Sequence, residues 1–212
     1  MTEEFDLYEV GGYNSGKIGF GNMIGIVSVD MMNCVTDPKA PMGRSPMGQA
    51  AIDKCAILFE IARENGIPIV HCQTAFQSDL SDMPRWKVSC MKQWIIGSWE
   101  VEIDPRLWRD GDVLVRKKTP SIFFGTHCGS VMNMHGVDTI VVTGANTSGC
   151  IRATSIDSFA LGYRTIVPEE CVFDQGSVAH RQNLDDIGKR YVDVEPFEFV
   201  MDKVKKQRHV AA

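Results

Sequence analysis

The chain has 212 residues, of which 44% are hydrophobic and 23% are charged, and its formal net charge at pH 7 is −5. Such a length and composition are typical of one globular domain with a full core. The net charge is negative and basic residues cluster only at 203–208, which argues against a nucleic-acid partner. The acidic first residues lack the layout of an export signal, and no run approaches about 18 apolar residues, so we expect a cytoplasmic protein with no membrane partner.

Apolar runs rich in β-branched residues recur along the chain, separated by stretches with helical spacing. The runs cover residues 24–29, 67–71, 113–115, 139–142 and 165–167. Near-continuous apolar runs are typical of strands that are covered on both faces, as in a parallel sheet. Residues 49–64 repeat apolar side chains at helical spacing and end at Asn65-Gly66.

This alternation of strands and helices predicts a three-layer α/β/α sandwich. We assign it to residues 17–205, with an N-terminal tail over 1–16 and a C-terminal tail over 206–212. The tryptophan- and proline-containing stretch at 83–109 is predicted to be a long excursion from the sheet.

Chemically active side chains follow several of these runs. In open α/β sheets, functional sites lie beyond the carboxyl ends of the strands. The residues at these ends are Asp30, His71 with Cys72, Lys117, and the turn that leads to Cys150. We interpret His71 as an interior histidine with satisfied hydrogen bonds, since that is commoner than a metal ligand.

Cys150 follows the small, polar segment GANTSG at 144–149. A helix over 149–161 would place this thiol in the first turn, where unpaired amides and the helix dipole stabilise a thiolate. The same amides could bind an oxyanion. The alternative is that Cys150 is one of seven packed thiols, because free cysteine is commonly buried. The seven are odd in number and none falls in a CxxC pair, so neither a disulfide framework nor a zinc ribbon is predicted.

Asp30 and Lys117 are ordinary when each is taken alone. An aspartate at a strand end is often the cap of a turn, and a lysine beside Arg116 and Lys118 is often solvated. The alternation of a strand decides which of the three basic residues faces inward, and the sequence alone does not fix its phase. Together with Cys150, however, they offer a base, an electrostatic partner and a nucleophile.

Three stretches carry a resemblance to a known family. They read IGFGNMIGIVSVDMMN, RKKTPSIFFGT and VDTIVVTGANTSGCIRATSIDSFALGYRTIVPEECVFD. The chain resembles the isochorismatase-like cysteine hydrolases, and within them the N-carbamoylsarcosine amidase and maleamate amidase group, over residues 17–202. The resemblance implies a six-stranded, mainly parallel sheet, a homotetramer, and a catalytic triad of Asp30, Lys117 and Cys150. Lys117 is selected over Lys118 because the family lysine lies four residues before a serine, here Ser121.

The resemblance also implies the substrate-binding residues. It places a cis peptide at Ala145-Asn146, and it implies that the amides of Asn146 and Cys150 bind the oxyanion. Ala145, Asn146, Thr147 and Gln175 are the expected oxyanion and substrate-binding residues. The family commonly has an arginine where this chain has Gln175, so we expect a less anionic substrate unless Arg85, Arg116 or Arg152 replaces that charge.

The implied reaction is hydrolysis of an amide or carbamoyl C–N bond of a small molecule through a thioester acyl-enzyme. The alternatives are a maleamate or ureido-compound amidase of the same fold, or a catalytically silent binding protein. Nicotinamidase relatives bind a metal through an aspartate and two histidines after the second strand, whereas HCQTAFQSDLSDMPRWK offers only His71, Asp79 and Asp82. We therefore predict no catalytic metal and no cofactor.

Overall fold

A parallel sheet forms the centre of the molecule. A computed structural model describes residues 7–207. The strands in that range are β1 (Ile24–Val29), β2 (Ile69–Thr74), β3 (Val113–Lys117), β4 (Thr139–Ala145), β5 (Arg164–Pro168), β6 (Val172–Phe173) and β7 (Asp193–Glu195). Six of them follow the order β3-β2-β1-β4-β5-β7, and the short β6 pairs with β4. Every pairing is parallel, so the predicted parallel sheet is confirmed, with β6 as a seventh strand.

Helices connect the strands and cover both faces of the sheet. They are α1 (Leu7–Val10), α2 (Asn33–Thr36), α3 (Pro46–Glu64), α4 (Cys128–Met134), α5 (Arg152–Ala160), α6 (Ser177–Gly188) and α7 (Phe197–Lys206). The Ser45 side chain caps α3 by accepting a hydrogen bond from the Gly48 amide at 3.3 Å, and Pro46 occupies the first turn. This cap explains why α3 begins three residues before the predicted start at 49.

The alternation of β1 separates two buried cores. Ile24 and Ile26 belong to one core, which includes Leu58 of α3, whereas Val27 and Val29 belong to the other. Helix α7 packs into the first core, and α4 and α6 pack into the second. The sheet therefore has helices on both faces, as the prediction of a three-layer sandwich requires.

The first described residues pack against the end of α6. The Arg190 guanidinium donates a hydrogen bond to the Tyr8 hydroxyl at 2.7 Å and lies over the rings of both Tyr8 and Tyr13.

The division into a 17–205 domain and two tails stays a prediction, and its residues 1–6 and 208–212 lie outside the described range. Among the helices of residues 7–207, none is long and apolar enough to cross a bilayer.

Candidate active site

Four neighbouring strands bring the predicted site residues to one edge of the sheet. Because β3, β2, β1 and β4 are adjacent and parallel, their carboxyl ends meet. In register, Thr74 pairs with Lys117, and Val29 pairs with both Cys72 and Gly144. The end of β3, the end of β2, the residue after β1 and the turn after β4 therefore converge.

Lys117 joins the three predicted residues into one cluster. Its ammonium donates to Asp30 Oδ2 at 2.8 Å and to Cys150 Sγ at 3.3 Å. A third hydrogen bond runs from the same nitrogen to Thr74 Oγ1 at 2.6 Å. The side chains are almost fully buried, with relative exposures of 4% for Asp30, 1% for Lys117 and 9% for Cys150. A nucleophile, a carboxylate and an ammonium are thus in direct contact.

The phase of β3 decides which basic residue reaches this cluster. Val115 and Lys117 are buried on one face of the strand, whereas Arg116 is exposed and donates to Gln73 on the other. Lys118 is directed elsewhere, because its ammonium bonds Asp82 at 2.6 Å and the Ala75 carbonyl. The structure thus places Lys117, the lysine selected from the resemblance, beside Asp30.

Asp30 is held by more donors than the sequence indicated. Its Oδ1 accepts from the Thr74 amide at 3.1 Å, from the Thr74 hydroxyl at 2.9 Å and from the Cys72 thiol at 3.7 Å. Its backbone has a φ of 53°, a left-handed conformation that is uncommon for a residue other than glycine. Such positions tend to occur at functional sites, where the surroundings enforce them.

The turn that carries Cys150 differs in part from the prediction. The cis peptide at Ala145-Asn146 is present, as the resemblance implied. Cys150 itself lies in a π-type turn, Thr147–Ile151, and α5 begins only at Arg152, so the predicted start of an α-helix at 149 is wrong. The turn is closed by the Gly149 and Ile151 amides, which both donate to the Asn146 carbonyl, at 2.9 and 3.1 Å. The hydrogen bond of a π-type turn encloses one more residue than that of an α-helical turn. The small residues of GANTSG permit this wider turn.

Close approach of β4 to β1 makes Gly144 a required glycine. Its φ is 116°, and a Cβ there would lie 2.1 Å from the carbonyl oxygen of Val29. We expect Gly144→Ala to lower the free energy of unfolding by at least about 3 kcal/mol, because both the conformation and the contact are forbidden to alanine. The matched control is Gly129→Ala in α4, where a Cβ has nothing within 4 Å and should stabilise the helix by up to about 1 kcal/mol. Urea unfolding of both variants checks this, and equal stability of the two would contradict it.

The four predicted substrate-binding residues divide into two groups. Ala145 is buried at the end of β4, and Thr147 is buried with its hydroxyl 2.8 Å from His180 Nδ1. Asn146 and Gln175 lie nearer the surface, with Gln175 Nε2 at 3.5 Å from Asn146 Oδ1. The Thr147 hydroxyl is thus engaged by His180, which leaves Asn146 and Gln175 as the side chains that face outward beside the cysteine turn.

Burial and the two charged neighbours set the protonation of the cluster. Burial and the Asp30 carboxylate raise the pKa of Cys150 and Lys117 lowers it, and the net shift is upward to about 12. Burial on its own lowers the pKa of Lys117, but Asp30, Cys150 and Cys72 raise it, and the net shift is upward. Burial and Asp30 thus oppose the stabilisation of a Cys150 thiolate that the sequence led us to expect from the helix dipole, and that thiolate stays a prediction.

The residues considered for a metal do not form a group. His71 is buried with its Nε2 at 3.2 Å from Asp112 Oδ2, and Asp82 is bound to Lys118. Within residues 7–207, no three His, Cys, Asp or Glu side chains are arranged to hold a metal ion. His71 has a hydrogen-bond partner at Nε2 and none at Nδ1. The interpretation as an interior histidine with satisfied hydrogen bonds is therefore only half correct.

Thr74 was not identified as a site residue from the sequence, and Cys72 was named only as a strand-end residue with no role. The prediction ended the second strand at 71, whereas β2 continues through Cys72, Gln73 and Thr74. Cys72 and Thr74 are two residues apart on one strand, and both reach Asp30. The signal available in the sequence is this same-face pair immediately after an apolar run.

Comparison with known proteins agrees with this fold. The model of the Isochorismatase domain matches residues 25–196. A maleamate amidohydrolase from Pseudomonas putida is 35% identical over 92% of this chain and 92% of its own length. An N-carbamoylsarcosine amidase from an Arthrobacter species is 30% identical over 87% of this chain and 72% of its own length. The crystal structure of an isochorismatase family protein from Desulfovibrio vulgaris superposes with a TM-score of 0.79 at 24% identity, covering 88% of this chain and all of that one. The chain belongs to the isochorismatase-domain family.

Proposed function

We propose that the chain is a cysteine amidohydrolase that cleaves an amide or carbamoyl C–N bond of a small molecule through a thioester acyl-enzyme. The observation that carries this proposal is the Lys117 ammonium in contact with both Asp30 Oδ2 and Cys150 Sγ. Support comes from the two curated relatives, which are a maleamate amidohydrolase and an N-carbamoylsarcosine amidase. The catalytic residues of the proposal are Asp30, Lys117 and Cys150.

The first half of the reaction forms the acyl-enzyme. Asp30 accepts the thiol proton as the sulfur of Cys150 attacks the carbonyl carbon, and a C–S bond forms. The negative charge moves to the carbonyl oxygen, where the amides of Asn146 and Cys150 are the proposed donors. The C–N bond then breaks, the proton held by Asp30 passes to the nitrogen, and ammonia leaves.

The second half of the reaction releases the acid. Water attacks the thioester while Asp30 takes a proton from it, and the proton then returns to sulfur as the C–S bond breaks. Lys117 stays protonated throughout, because its pKa is raised by the groups that face it. Its positive charge balances the negative charge of the carboxylate when Asp30 is ionised. When Asp30 is protonated, it balances the negative charge of the sulfur. Apart from substrate and water, the scheme uses only side chains and backbone amides of this chain.

An ammonia-release screen tests the proposal. The panel contains N-carbamoyl amino acids, maleamate, nicotinamide and ureido compounds, each at several concentrations. We expect one class to release ammonia with saturation kinetics. Absence of release from every member, together with tight binding of one of them, would favour a silent binding protein instead.

Gln175 provides a specific prediction about substrate charge. Its side chain is exposed beside Asn146 and carries no charge. Gln175→Arg is expected to raise kcat/KM for an amide that carries a carboxylate, relative to a neutral amide, by about tenfold, because a charge-assisted hydrogen bond replaces a neutral one. Gln182→Arg is the control, since it adds the same charge at an exposed position on α6. The same gain in both variants, or in neither, would contradict a role for position 175 in substrate recognition.

Two further parts of the proposal rest on sequence alone. The cytoplasmic location stays an expectation from the composition, and the homotetramer comes from the family resemblance. Exposed apolar side chains such as Phe124 and Met134, at 66% and 84% exposure, are available for contacts between copies of the chain.

A further inference from the structure

Thr74 lies between the two charged groups of the cluster. Its hydroxyl oxygen is 2.6 Å from Lys117 Nζ and 2.9 Å from Asp30 Oδ1, and the residue is fully buried. Its amide donates to the same Asp30 oxygen at 3.1 Å. Thr74 is therefore bound to both members of the ion pair and, through Lys117, is one step from the sulfur of Cys150.

The protons in this arrangement have only one consistent assignment. A lysine ammonium has three N–H donors and no acceptor, and here its three partners are Asp30 Oδ2, Thr74 Oγ1 and Cys150 Sγ. The Thr74 hydroxyl must therefore accept from Lys117. Its single proton is then available to Asp30 Oδ1, and the direction of the network is fixed from lysine to threonine to aspartate.

This direction divides the two oxygens of Asp30 between two tasks. Oδ1 accepts from the Thr74 amide, the Thr74 hydroxyl and the Cys72 thiol. Oδ2 accepts from Lys117 and keeps capacity for a further proton. We infer that Thr74 is a positioning residue, which directs one N–H of Lys117 to Cys150 and leaves Oδ2 of Asp30 as the oxygen that receives the thiol proton. The inference rests on the proposed function and goes beyond it, because it assigns a role to a residue outside the triad.

The position of Thr74 follows from the sheet. It ends β2 and is paired in register with Lys117, the last residue of β3. Two strands thus deliver the two side chains to the same depth, so a rigid element holds the hydroxyl in place. A loop residue could not fix the nitrogen of a long lysine side chain as closely.

The test measures how fast iodoacetamide alkylates Cys150 as the pH is varied. All variants carry Cys90→Ser, because Cys90 is the exposed cysteine of the described residues and would be labelled first. Thr74→Val removes the hydroxyl at constant shape, Thr74→Ser keeps it, and Thr74→Ala replaces Thr74→Val if that variant does not fold. Thr165→Val is the matched control, since Thr165 is also buried in a strand with a doubly bonded hydroxyl.

Loss of the Thr74 hydroxyl removes one of the hydrogen-bond donors to the Asp30 carboxylate. The rate of Cys150 alkylation should fall at low pH, and this fall is the acid limb of the profile. We expect the pH at its midpoint to rise by about one unit in Thr74→Val. In Thr74→Ser and Thr165→Val it should stay at the wild-type value. On a substrate found in the screen, kcat should fall at least about tenfold with KM unchanged, since Thr74 has no place in substrate binding and acts by alignment.

The outcomes separate the inference from the proposed function. If the wild type shows an acid limb and Thr74→Val shares its midpoint with Thr165→Val, the inference about Thr74 is overturned and the triad stands. If alkylation of wild-type Cys150 shows no acid limb and simply accelerates with pH, like an ordinary thiol, the proposed function fails and the inference fails with it. A rise in the midpoint that Thr74→Ser reverses supports both.

Discussion

Cys150→Ala is expected to reduce ammonia release at least about 10⁴-fold, because the proposal assigns to this sulfur the covalent bond to the substrate. The free energy of unfolding should change by no more than about 2 kcal/mol, since only one small buried atom is lost. Cys150→Ser should be almost as inactive, because a hydroxyl is far harder to deprotonate than a thiol. Initial rates of ammonia release and urea unfolding give the two quantities.

Cys128 supplies the matched control for this prediction. It is also buried, and burial raises the pKa of its thiol to about 12, the same value as for Cys150. Burial is the one cause of the shift at Cys128, whereas Cys150 also has a carboxylate and an ammonium beside it. Cys128→Ala should therefore lose stability and keep activity. Activity above about 1% in Cys150→Ala, or equal losses at the two cysteines, would contradict the assignment of the nucleophile.

Lys117→Met should abolish activity and also destabilise the fold. The ammonium and the Asp30 carboxylate are 2.8 Å apart, with side-chain exposures of 0% and 5%. Removing one partner leaves a buried charge uncompensated, which costs about 3–5 kcal/mol. Asp30→Asn should also abolish activity and destabilise the fold, because it leaves the buried Lys117 ammonium without its carboxylate partner. The double variant Asp30→Asn with Lys117→Met should recover most of the stability and none of the activity.

The adjacent pair Lys118 and Asp82 shows what burial contributes to this expectation. Its atoms are 2.6 Å apart, but the side chains keep exposures of 32% and 29%. Lys118→Met should therefore cost no more than about 1 kcal/mol. A double-mutant cycle by denaturant unfolding measures the coupling of each pair. Equal coupling energies for the buried and the exposed pair, or an active Lys117→Met, would contradict the account.

The sequence predicted the layers of the fold because its apolar runs are long and clear. It was least accurate at the carboxyl ends of strands, where β2 extends past residue 71 to Thr74 and β4 extends past residue 142 to Ala145. These extensions carry polar or small residues, which a search for apolar runs assigns to loops. The site residues themselves therefore obscure the strand ends that position them. The short strands β6 and β7 have too few apolar residues to give a signal.

The candidate site could be assembled only in part without coordinates. Asp30 and Cys150 were selected from their positions after apolar runs, but the choice of Lys117 needed the resemblance, since strand phase alone left three basic residues open. The contribution of Thr74 depends on two distances below 3 Å and on the register of β2 with β3. Neither quantity can be obtained from residue order. A helix dipole beside Cys150 can likewise be expected from sequence, whereas the extent of burial, which raises the pKa of the thiol, cannot.

The central claim is that the thiol proton of Cys150 can pass to Asp30, so that the two side chains act as one pair that holds one proton. Such a pair can present its reactive form, a thiolate beside a protonated carboxyl, without losing a proton to solvent. Cys34 provides an internal reference, because its exposure of 8% is close to the 9% of Cys150 and burial raises the pKa of its thiol.

The most direct measurement is the rate of iodoacetamide labelling at Cys150 and Cys34 from pH 6 to 9, resolved by peptide mass in the Cys90→Ser protein. The account predicts a rate at Cys150 that is nearly constant over this range, while the rate at Cys34 rises about tenfold per pH unit, as for an isolated thiol. Asp30→Asn should convert the Cys150 profile from flat to rising. A Cys150 rate that rises in parallel with that of Cys34 in the unmodified site would contradict the account.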